Sequence, residues 1–319
     1  MAIKILIGGS PCTKWSIAQT KDREIQPNSG IGWDLFENYL IAKRKFKPDF
    51  FLYENNKSAA QAIKDQIAKE FGVGVDPDVR FTYINSDLVS AQNRQRFYVT
   101  NFGDIEQPED RKILLKDILE SGSVDRDKSL VIASRYAGFV GSQSYLCRRY
   151  FGKSFGQAVF EGDINEIKNR WMNDPYFESK DNNIRPLSVT ECCRLQTLPD
   201  NYCDALPSDK AKAAIGNGWT AEVIIHLLNH ALKDVPRDEE IVVLSMYDGI
   251  ATGRYCLDKM GFTNVTYHAY EIDKYPIMVA MDNYPDIIQH GDAFAVREDD
   301  WKPPQTRSEW LDELLRGEL

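Results

Sequence analysis

Short apolar segments, many of them ending at a glycine or an acidic residue, alternate with amphipathic segments along most of the chain. Longer segments with helical periodicity, such as 33–44 and 59–71, lie between several of them. Strands that alternate with helices are typical of an α/β protein built on a parallel sheet. The segments that we predict to be strands are 3–7, 50–53, 80–85, 97–101, 241–245, 265–270 and 287–290.

The composition is that of an ordinary globular protein, and no apolar run is long enough to cross a membrane. The short apolar N-terminus predicts a strand rather than a signal peptide, so we expect a cytoplasmic protein with reduced cysteines. None of the six cysteines forms a CxxC pair, and no Cys/His spacing suggests zinc. We therefore expect no metal and no membrane partner.

The net charge of −9 argues against a general affinity for nucleic acid, but the charge is unevenly distributed. Segment 128–160 contains no acidic residue and interleaves basic side chains with aromatic ones. Such a stretch predicts either a surface that contacts phosphates and bases, or a solvated face above a small core. Its basic residues are Lys128, Arg135, Arg148, Arg149 and Lys153.

The C-terminal third carries the pattern of a nucleotide-like binding site. Strand 241–245 runs into the glycine-containing turn 247–253, and a helix is predicted to follow. The next two predicted strands end near Glu271 and Asp292. Acids at successive strand ends are placed to accept hydrogen bonds from ribose hydroxyls and an adenine amine, because α/β sheets bind ligands there. The alternative interpretation is that both are ordinary turn acids.

At the other end of the chain, Cys12 follows a glycine-rich loop after the first predicted strand. A cysteine there is placed as a nucleophile if its pKa is lowered, whereas a lone cysteine more often belongs to an apolar core. Glu54 also lies at a strand end, and Arg94 and Arg96 lie two residues apart in a loop. We expect these groups to converge at one edge of the sheet.

Taken together, these motifs resemble those of the DNA cytosine-C5 methyltransferases. The segment 8–12 is similar to their Pro-Cys motif, 54–56 to their Glu-Asn-Val motif and 92–96 to Gln-x-Arg-x-Arg. The resemblance spans the chain except for about 103–183, and it extends locally to the animal de novo methyltransferases. Thr13 stands where the family usually has Gln, and Asn56 where it has Val. Three further segments look like the ninth, tenth and first motifs, namely 185–200, 216–219 and 248–253.

The motif order departs from the family, in which the cofactor motifs usually precede Pro-Cys. Here Pro-Cys comes first, so we predict a circularly permuted, Rossmann-like S-adenosylmethionine-dependent methyltransferase fold with the new joint near 233–240. The predicted divisions are 1–102 (catalytic part), 103–183 (a small target-recognition domain) and 184–319 (the remainder, with the cofactor part).

The resemblance implies that Cys12 attacks carbon 6 of a flipped cytosine in double-stranded DNA, with help from Glu54, Arg94 and Arg96. S-adenosylmethionine would supply the methyl group and leave as S-adenosylhomocysteine. Ser10 and Asn55 would shape the base pocket, and loop 13–29 would close on DNA. The cofactor site of the protein would comprise Pro11, Asn217, Trp219, Tyr247, Asp248, Gly249, Gly253, Glu271, Ile272 and Asp292. The predicted DNA contacts are Lys14, Arg135, Arg148 and Arg149.

Three other hypotheses remain open from the sequence. One is a tRNA cytosine-C5 methyltransferase with the same motifs, and another is an inactive relative that only binds DNA. The third is a Rossmann-type protein with coincidental motifs. A methylase from a virus or a bacterial restriction system, with or without a partner endonuclease, fits the small size by analogy alone.

Overall fold

A seven-stranded sheet organises the larger part of the computed structural model, which describes residues 2–17, 22–132, 143–153, 157–174 and 183–316. The strands are Ile3–Gly8 (β1), Phe50–Asn56 (β2), Arg80–Asn85 (β3), Gln95–Thr100 (β4), Val159–Phe160 (β5), Ile184–Arg185 (β6), Ile241–Met246 (β7), Val265–Tyr270 (β8) and Ile288–Gln289 (β9). The helices are Ile31–Phe46 (α1), Gln61–Phe71 (α2), Gln143–Lys153 (α3), Ile164–Asn173 (α4), Val189–Leu195 (α5), Ser208–Asn217 (α6), Ala221–Leu232 (α7), Thr252–Lys259 (α8), Lys274–Asn283 (α9) and Arg307–Arg316 (α10).

The strand order in the main sheet is β3-β4-β2-β1-β7-β8-β9. The N-terminal strand β1 is central, since it pairs in parallel with β2 on one side and with β7 on the other. Strands β8 and β9 continue the parallel sheet, whereas β4 runs antiparallel to β2. The predicted α/β class with a mostly parallel, Rossmann-like sheet is therefore confirmed.

The chain divides into two compact units. The first comprises Met1–Ile84, Gln95–Gln107 and Ile224–Leu319, and it holds the main sheet. Its core includes aromatic side chains from α1 and β2 and aliphatic side chains from β7. The residues packed there include Phe36, Tyr39, Phe51, Tyr53, Val242 and Leu244.

The second unit comprises Asn85–Arg94 and Pro108–Val223, so it takes in most of the segment 103–183 and also the chain beyond it. Helices α3 and α4 and the two-stranded β5–β6 sheet share a small core that contains Tyr150, Phe160 and Ile184. Helix α5 begins with the capping box predicted from the sequence. Ser188 Oγ accepts from Glu191 N at 3.0 Å, and Glu191 Oε2 accepts from Ser188 N at 2.8 Å.

Most predicted elements of the first unit match the observed ones to within two residues, for example Val265–Tyr270 and Ile241–Met246. In the second unit α3 and α4 lie in a region that the sequence pattern left irregular. A signal for α4 was present, because Asp163 accepts from Glu166 N at 2.8 Å as an N-cap. Within the described ranges, no helix combines the length and the apolar character that a membrane span needs.

Candidate active site

The loops that carry the two groups of motifs leave the same edge of the sheet, because β1 and β7 are parallel neighbours in register. Gly8 at the end of β1 pairs with Met246 at the end of β7. A Cβ on Gly8 would lie 2.4 Å from the Met246 carbonyl oxygen, so only glycine allows this approach. The Pro-Cys loop and the glycine turn therefore begin side by side, although they are far apart in sequence.

Cys12 begins a short 3₁₀ turn, Cys12–Lys14, directly after this edge. Its carbonyl accepts from Trp15 N at 3.0 Å and from Ser16 N at 2.9 Å, which holds the turn closed. Cys12 is partly exposed, whereas the other five cysteines are buried. Access to solvent distinguishes Cys12 as the thiol that can meet a substrate.

Buried hydrogen bonds fix the residues that precede Cys12. Ser10 Oγ and the Tyr53 hydroxyl are 2.7 Å apart, and Asn55 Nδ2 donates to Ser10 O at 2.9 Å and to the Tyr53 hydroxyl at 3.2 Å. Burial raises the pKa of Tyr53, so its hydroxyl stays protonated. Ser10 and Asn55, which the sequence predicts to shape the base pocket, support the Pro-Cys loop from within the protein.

Glu54 lies on β2 beside this loop and forms an ion pair with Arg96 of β4. Arg96 Nε is 2.9 Å from Glu54 Oε1, and the two side chains are only 11% and 12% exposed. The antiparallel register pairs Glu54 with Tyr98 and Asn56 with Arg96, which brings the two side chains together. A Cβ on Gly9 would lie 2.8 Å from Glu54 Oε2, so this carboxyl group packs directly against the Pro-Cys loop.

Arg94, predicted to act with Arg96, belongs to the second unit. It is buried, and its guanidinium donates to Gly216 O at 3.2 Å and to Gly218 O at 2.8 Å. In that unit it binds the carbonyls of the segment predicted to be the tenth motif. The two arginines of one short motif therefore have different partners.

The glycine turn after β7 contains several residues with positive φ angles, including Tyr247, Gly249 and Ala251. The Tyr247 hydroxyl donates to Leu35 O at 2.7 Å and anchors the turn to α1. Gly253 packs closely, since a Cβ there would lie 2.3 Å from Ile7 Cδ1. Gly253 thus brings α8 close to the sheet and does not line the cavity described below.

Asp248 lies below this turn. Its Oδ1 accepts from Ser245 Oγ and from the Tyr267 hydroxyl, both at 2.7 Å, and its Oδ2 is enclosed without a hydrogen-bond partner among the described residues. The residue keeps some exposure, but its Oδ2 atom does not. Burial raises the pKa of Asp248 to about 6, and the negative charge of Glu271 adds to this effect.

Glu271, at the end of β8, faces the glycine turn. Its Oε2 accepts from Gly249 N at 2.9 Å, and its Oε1 accepts from Ile272 N at 2.8 Å and Asp273 N at 2.9 Å. Asp292 Oδ1 accepts from Phe294 N at 2.9 Å and caps a short 3₁₀ helix, Ala293–Arg297. Both acids are therefore oriented by backbone N–H groups at the edge where β8 and β9 end.

A cavity of about 310 Å³ lies at this edge of the sheet. Five predicted cofactor residues line it: Pro11, Tyr247, Glu271, Ile272 and Asp292. The other lining residues are Ile31, Leu35, Tyr270, Gly291, Ala293 and Phe294, most of them apolar and none predicted from the sequence. The predicted helix 33–44 included Leu35 but not Ile31, and it did not indicate that the first turns of α1 meet a cavity.

The remaining predicted residues are divided among different places. Asn217 ends α6 and Trp219 follows it, both in the second unit. Arg148 on α3 is exposed, with Arg148 and Arg149 near the Tyr145 ring, while Tyr150 of the same helix is in the core. Lys14 is partly exposed next to Cys12. Arg135 lies outside the described residues, as does part of loop 13–29.

Residues 1–233 match the family model of the C-5 cytosine-specific DNA methylases. This match covers well over half of the chain, and the chain belongs to that family. The resemblance inferred from the motifs is therefore confirmed.

Individual relatives include three type II methyltransferases. M1.ScrFI of Lactococcus lactis subsp. cremoris is 27% identical over 72% of this chain and 62% of its own length. M.SsoII of Shigella sonnei is 28% identical over 69% of this chain and 62% of its own length. M.FnuDI of Fusobacterium nucleatum is 29% identical over 74% of this chain and 78% of its own length. The aligned part of the chain thus spans less than two thirds of the first two relatives.

Among solved structures, the Entamoeba histolytica methyltransferase EhMeth matches with a TM-score of 0.49 and 12% identity, covering 73% of this chain and 78% of that one. The S. pombe Dnmt2 methyltransferase matches with a TM-score of 0.46 and 11% identity, covering 72% of this chain and 77% of that one.

Proposed function

We propose that the protein is a DNA cytosine-C5 methyltransferase that uses S-adenosylmethionine and Cys12 as its nucleophile. The observation that carries this proposal is the position of the Pro-Cys pair. Pro11 lines the cavity at the glycine turn, and the next residue is the one partly exposed cysteine. A methyl donor in the cavity and a base bound at Cys12 would be neighbours. The matching family model, that of the C-5 cytosine-specific DNA methylases, supports DNA as the substrate.

The residues around the cavity suit S-adenosylmethionine in their chemistry. Ile272 is 73% exposed although it is apolar, so a flat adenine ring placed on it would remove apolar surface from water. Glu271 supplies carboxylate oxygens for ribose hydroxyls, and Asp292 supplies one for an amine. Gly249 leaves the turn open, since a Cβ there would meet no neighbour within 4 Å. The bound cofactor supplies an electrophilic methyl group on a sulfonium sulfur.

The protein groups near Cys12 suit activation of a cytosine ring. Attack of the Cys12 thiolate on carbon 6 forms a C–S bond and moves the ring electrons toward carbon 5 and N3. Glu54, held by Arg96, would hydrogen-bond the N3 and amino edge where charge develops. After methylation, loss of the carbon-5 proton expels the thiolate and restores the ring. The base must leave the helix to reach Cys12, because the ring atoms are inaccessible in a duplex.

We infer that the chain is circularly permuted relative to its family. The family model matches only residues 1–233, whereas β7, β8 and the cavity acids follow that segment. Strand β1 nevertheless pairs with β7, as it would if β7–β9 had preceded it. Lys4 Nζ lies 3.0 Å from Glu309 Oε1 of α10, so the two ends of the described chain are close. A chain joined there and reopened within 233–240 is expected to fold and to keep its activity.

The second unit would supply target recognition. Arg148 and Arg149 are candidates for DNA contacts, since arginine suits both phosphates and guanine. We also propose that Arg94 holds the segment that contains Asn217 and Trp219 in place, through its hydrogen bonds to Gly216 O and Gly218 O.

The test is a methyl-transfer assay with labelled S-adenosylmethionine on duplex DNA, with Cys12→Ala beside the wild-type protein. Label at carbon 5 of cytosine with the wild-type protein alone is the expected result. Duplex DNA containing 5-fluorocytosine should trap a covalent complex with the wild-type protein only, because fluorine cannot leave as the proton does.

Parallel assays use tRNA, and S-adenosylhomocysteine binding is measured for both proteins. Label in tRNA but not in DNA would show that the substrate is tRNA and would contradict the proposed DNA substrate. Cofactor binding without transfer to either nucleic acid would indicate an inactive relative. Transfer that survives Cys12→Ala would exclude the proposed nucleophile.

A further inference from the structure

The turn that carries Cys12 is tied to the start of α1 through one carboxylate oxygen. Trp15, three residues after Cys12, is fully buried, and its Nε1 donates to Glu24 Oε2 at 3.2 Å. The same oxygen accepts from Gly32 N at 3.1 Å. Glu24 N also donates to Lys14 O at 2.9 Å. Glu24 therefore bonds both to the Cys12 turn and to the helix.

This contact completes the end of α1. The N-cap residue is Gly30, which provides no side-chain hydrogen bond to the first turn. The Glu24 side chain reaches the first turn of α1 from the preceding loop and accepts a hydrogen bond from Gly32 N, which has no partner within the helix. Its carboxylate also places negative charge at the helix N-terminus, where such charge is stabilising. A Cβ on Gly32 would lie 2.5 Å from both Glu24 Oε2 and Trp15 Nε1, so the three groups are closely packed.

Both ends of this connection lead to the active site. On one side, Trp15 N donates to Cys12 O at 3.0 Å, within the turn that presents the thiol. On the other side, Ile31 and Leu35 in the first turns of α1 line the cavity, together with Pro11. A displacement of Trp15 relative to Gly32 would therefore move Cys12 relative to the cavity wall.

We propose that Glu24 is a positioning residue for methyl transfer, and that it sets the distance between the Cys12 thiol and the donor cavity. Glu24 does not line the cavity, and it acts through Trp15 and Gly32. The proposal rests on the function proposed above, because it takes Cys12 as the nucleophile and the cavity as the cofactor site. The geometric part, control of the Cys12 turn, is measurable without turnover.

The test compares Glu24→Gln with Glu24→Ala in the full-length chain. Both hydrogen bonds end on one oxygen, so the amide oxygen of glutamine can accept both, and Glu24→Gln should stay within about threefold of wild-type kcat. Alanine removes both bonds, and Glu24→Ala should lower kcat about tenfold or more with the dissociation constant of S-adenosylhomocysteine nearly unchanged. Glu37→Ala is the matched control, because Glu37 accepts from the Trp33 indole on the same helix at 3.1 Å without contacting the Cys12 turn.

The second readout is the rate at which iodoacetamide alkylates Cys12, followed by mass spectrometry without substrate. Glu24→Ala should change this rate several-fold, and Glu24→Gln and Glu37→Ala should not. If Glu24→Ala fails to fold, Trp15→Phe keeps the buried ring, removes the donor and should give the same changes. Because alkylation needs no turnover, a wild-type protein without activity would disprove the proposed function and leave this readout intact. Wild-type kcat and alkylation in Glu24→Ala, or no rescue by glutamine, would overturn the role of Glu24.

Discussion

Arg96 and Glu54 form an ion pair of 2.9 Å on adjacent antiparallel strands, with little exposure of either side chain. The ion pair holds the Glu54 carboxyl group beside the Pro-Cys loop, where a Cβ on Gly9 would lie 2.8 Å from Glu54 Oε2. A charged hydrogen bond is stronger than a neutral one, and the low local dielectric at a site with little exposure strengthens it further.

Replacing Arg96 with alanine should therefore lower kcat about 100-fold, because Glu54 would lose its orientation toward the base. The measurement is single-turnover methylation at saturating DNA and cofactor. Arg80→Ala removes an exposed arginine–aspartate pair on β3 and serves as the control, with no loss expected. An Arg96→Ala protein with unchanged kcat would contradict the proposed role of the ion pair.

Asp248 makes stability depend on pH. Its pKa is raised to about 6 by burial, so between the unfolded value near 4 and pH 6 the folded state binds more protons than the unfolded state. The free energy of unfolding should therefore fall as the pH rises through this window, by up to about 3 kcal/mol from this group. Above pH 6 its contribution should level off.

Urea unfolding of the wild-type protein and Asp248→Asn between pH 4 and pH 7 tests this expectation. Asparagine keeps an acceptor for Ser245 and Tyr267 but does not titrate. The wild-type protein should show this loss of stability between pH 4 and pH 6, and Asp248→Asn should lack it. If the free energy of unfolding changes with pH equally in the two proteins, Asp248 is not the group that causes the pH dependence.

Tyr53 supports the Pro-Cys loop through its hydroxyl. Tyr53→Phe leaves Ser10 Oγ without its 2.7 Å partner in a buried place and should cost about 1–2 kcal/mol of folding free energy. It should also lower the rate of methyl transfer about tenfold, since the loop that carries Cys12 is no longer held.

Tyr39→Phe provides the comparison, because the Tyr39 hydroxyl donates to Leu52 O at 2.9 Å in the same core without touching Ser10. Both variants should be less stable by chemical denaturation, but only Tyr53→Phe should lose activity while folded. Equal losses of activity in the two variants would point to a general effect on the core.

Arg185 stabilises the second unit by neutralising a fully buried carboxylate. It binds Glu191 through two hydrogen bonds of 2.9 and 2.8 Å, and the Glu191 side chain is 0% exposed. Arg185→Ala should destabilise this unit by about 3 kcal/mol, because the glutamate remains buried and unpaired with a cation. Limited proteolysis and thermal unfolding measure the change.

Arg170→Ala breaks an exposed pair with Glu166 on α4 and should change stability by no more than about 0.5 kcal/mol. If Arg185→Ala changes stability by a similarly small amount, Arg185 does not stabilise the second unit by neutralising the buried Glu191.

The amino-acid sequence by itself predicted most elements of the first unit and the candidate catalytic residues. Alternating apolar segments predicted β1, β7 and β8, and the Ser188–Glu191 pattern predicted the start of α5, because periodicity and capping depend on residues only a few positions apart. Cys12 and Glu54 were identified from their positions after predicted strands and from the resemblance to the family's motifs. Helices α3 and α4 were missed because the pattern there was irregular.

The tertiary structure alone decided which groups meet. Arg94 and Arg96 are equivalent in the sequence, yet one binds Gly216 and Gly218 and the other binds Glu54. The apolar wall formed by Ile31 and Leu35 and the link from Trp15 through Glu24 also had no sequence signal. Such pairings depend on strand register and on packing between distant segments, and these are set by the free energy of the whole fold rather than by local pattern.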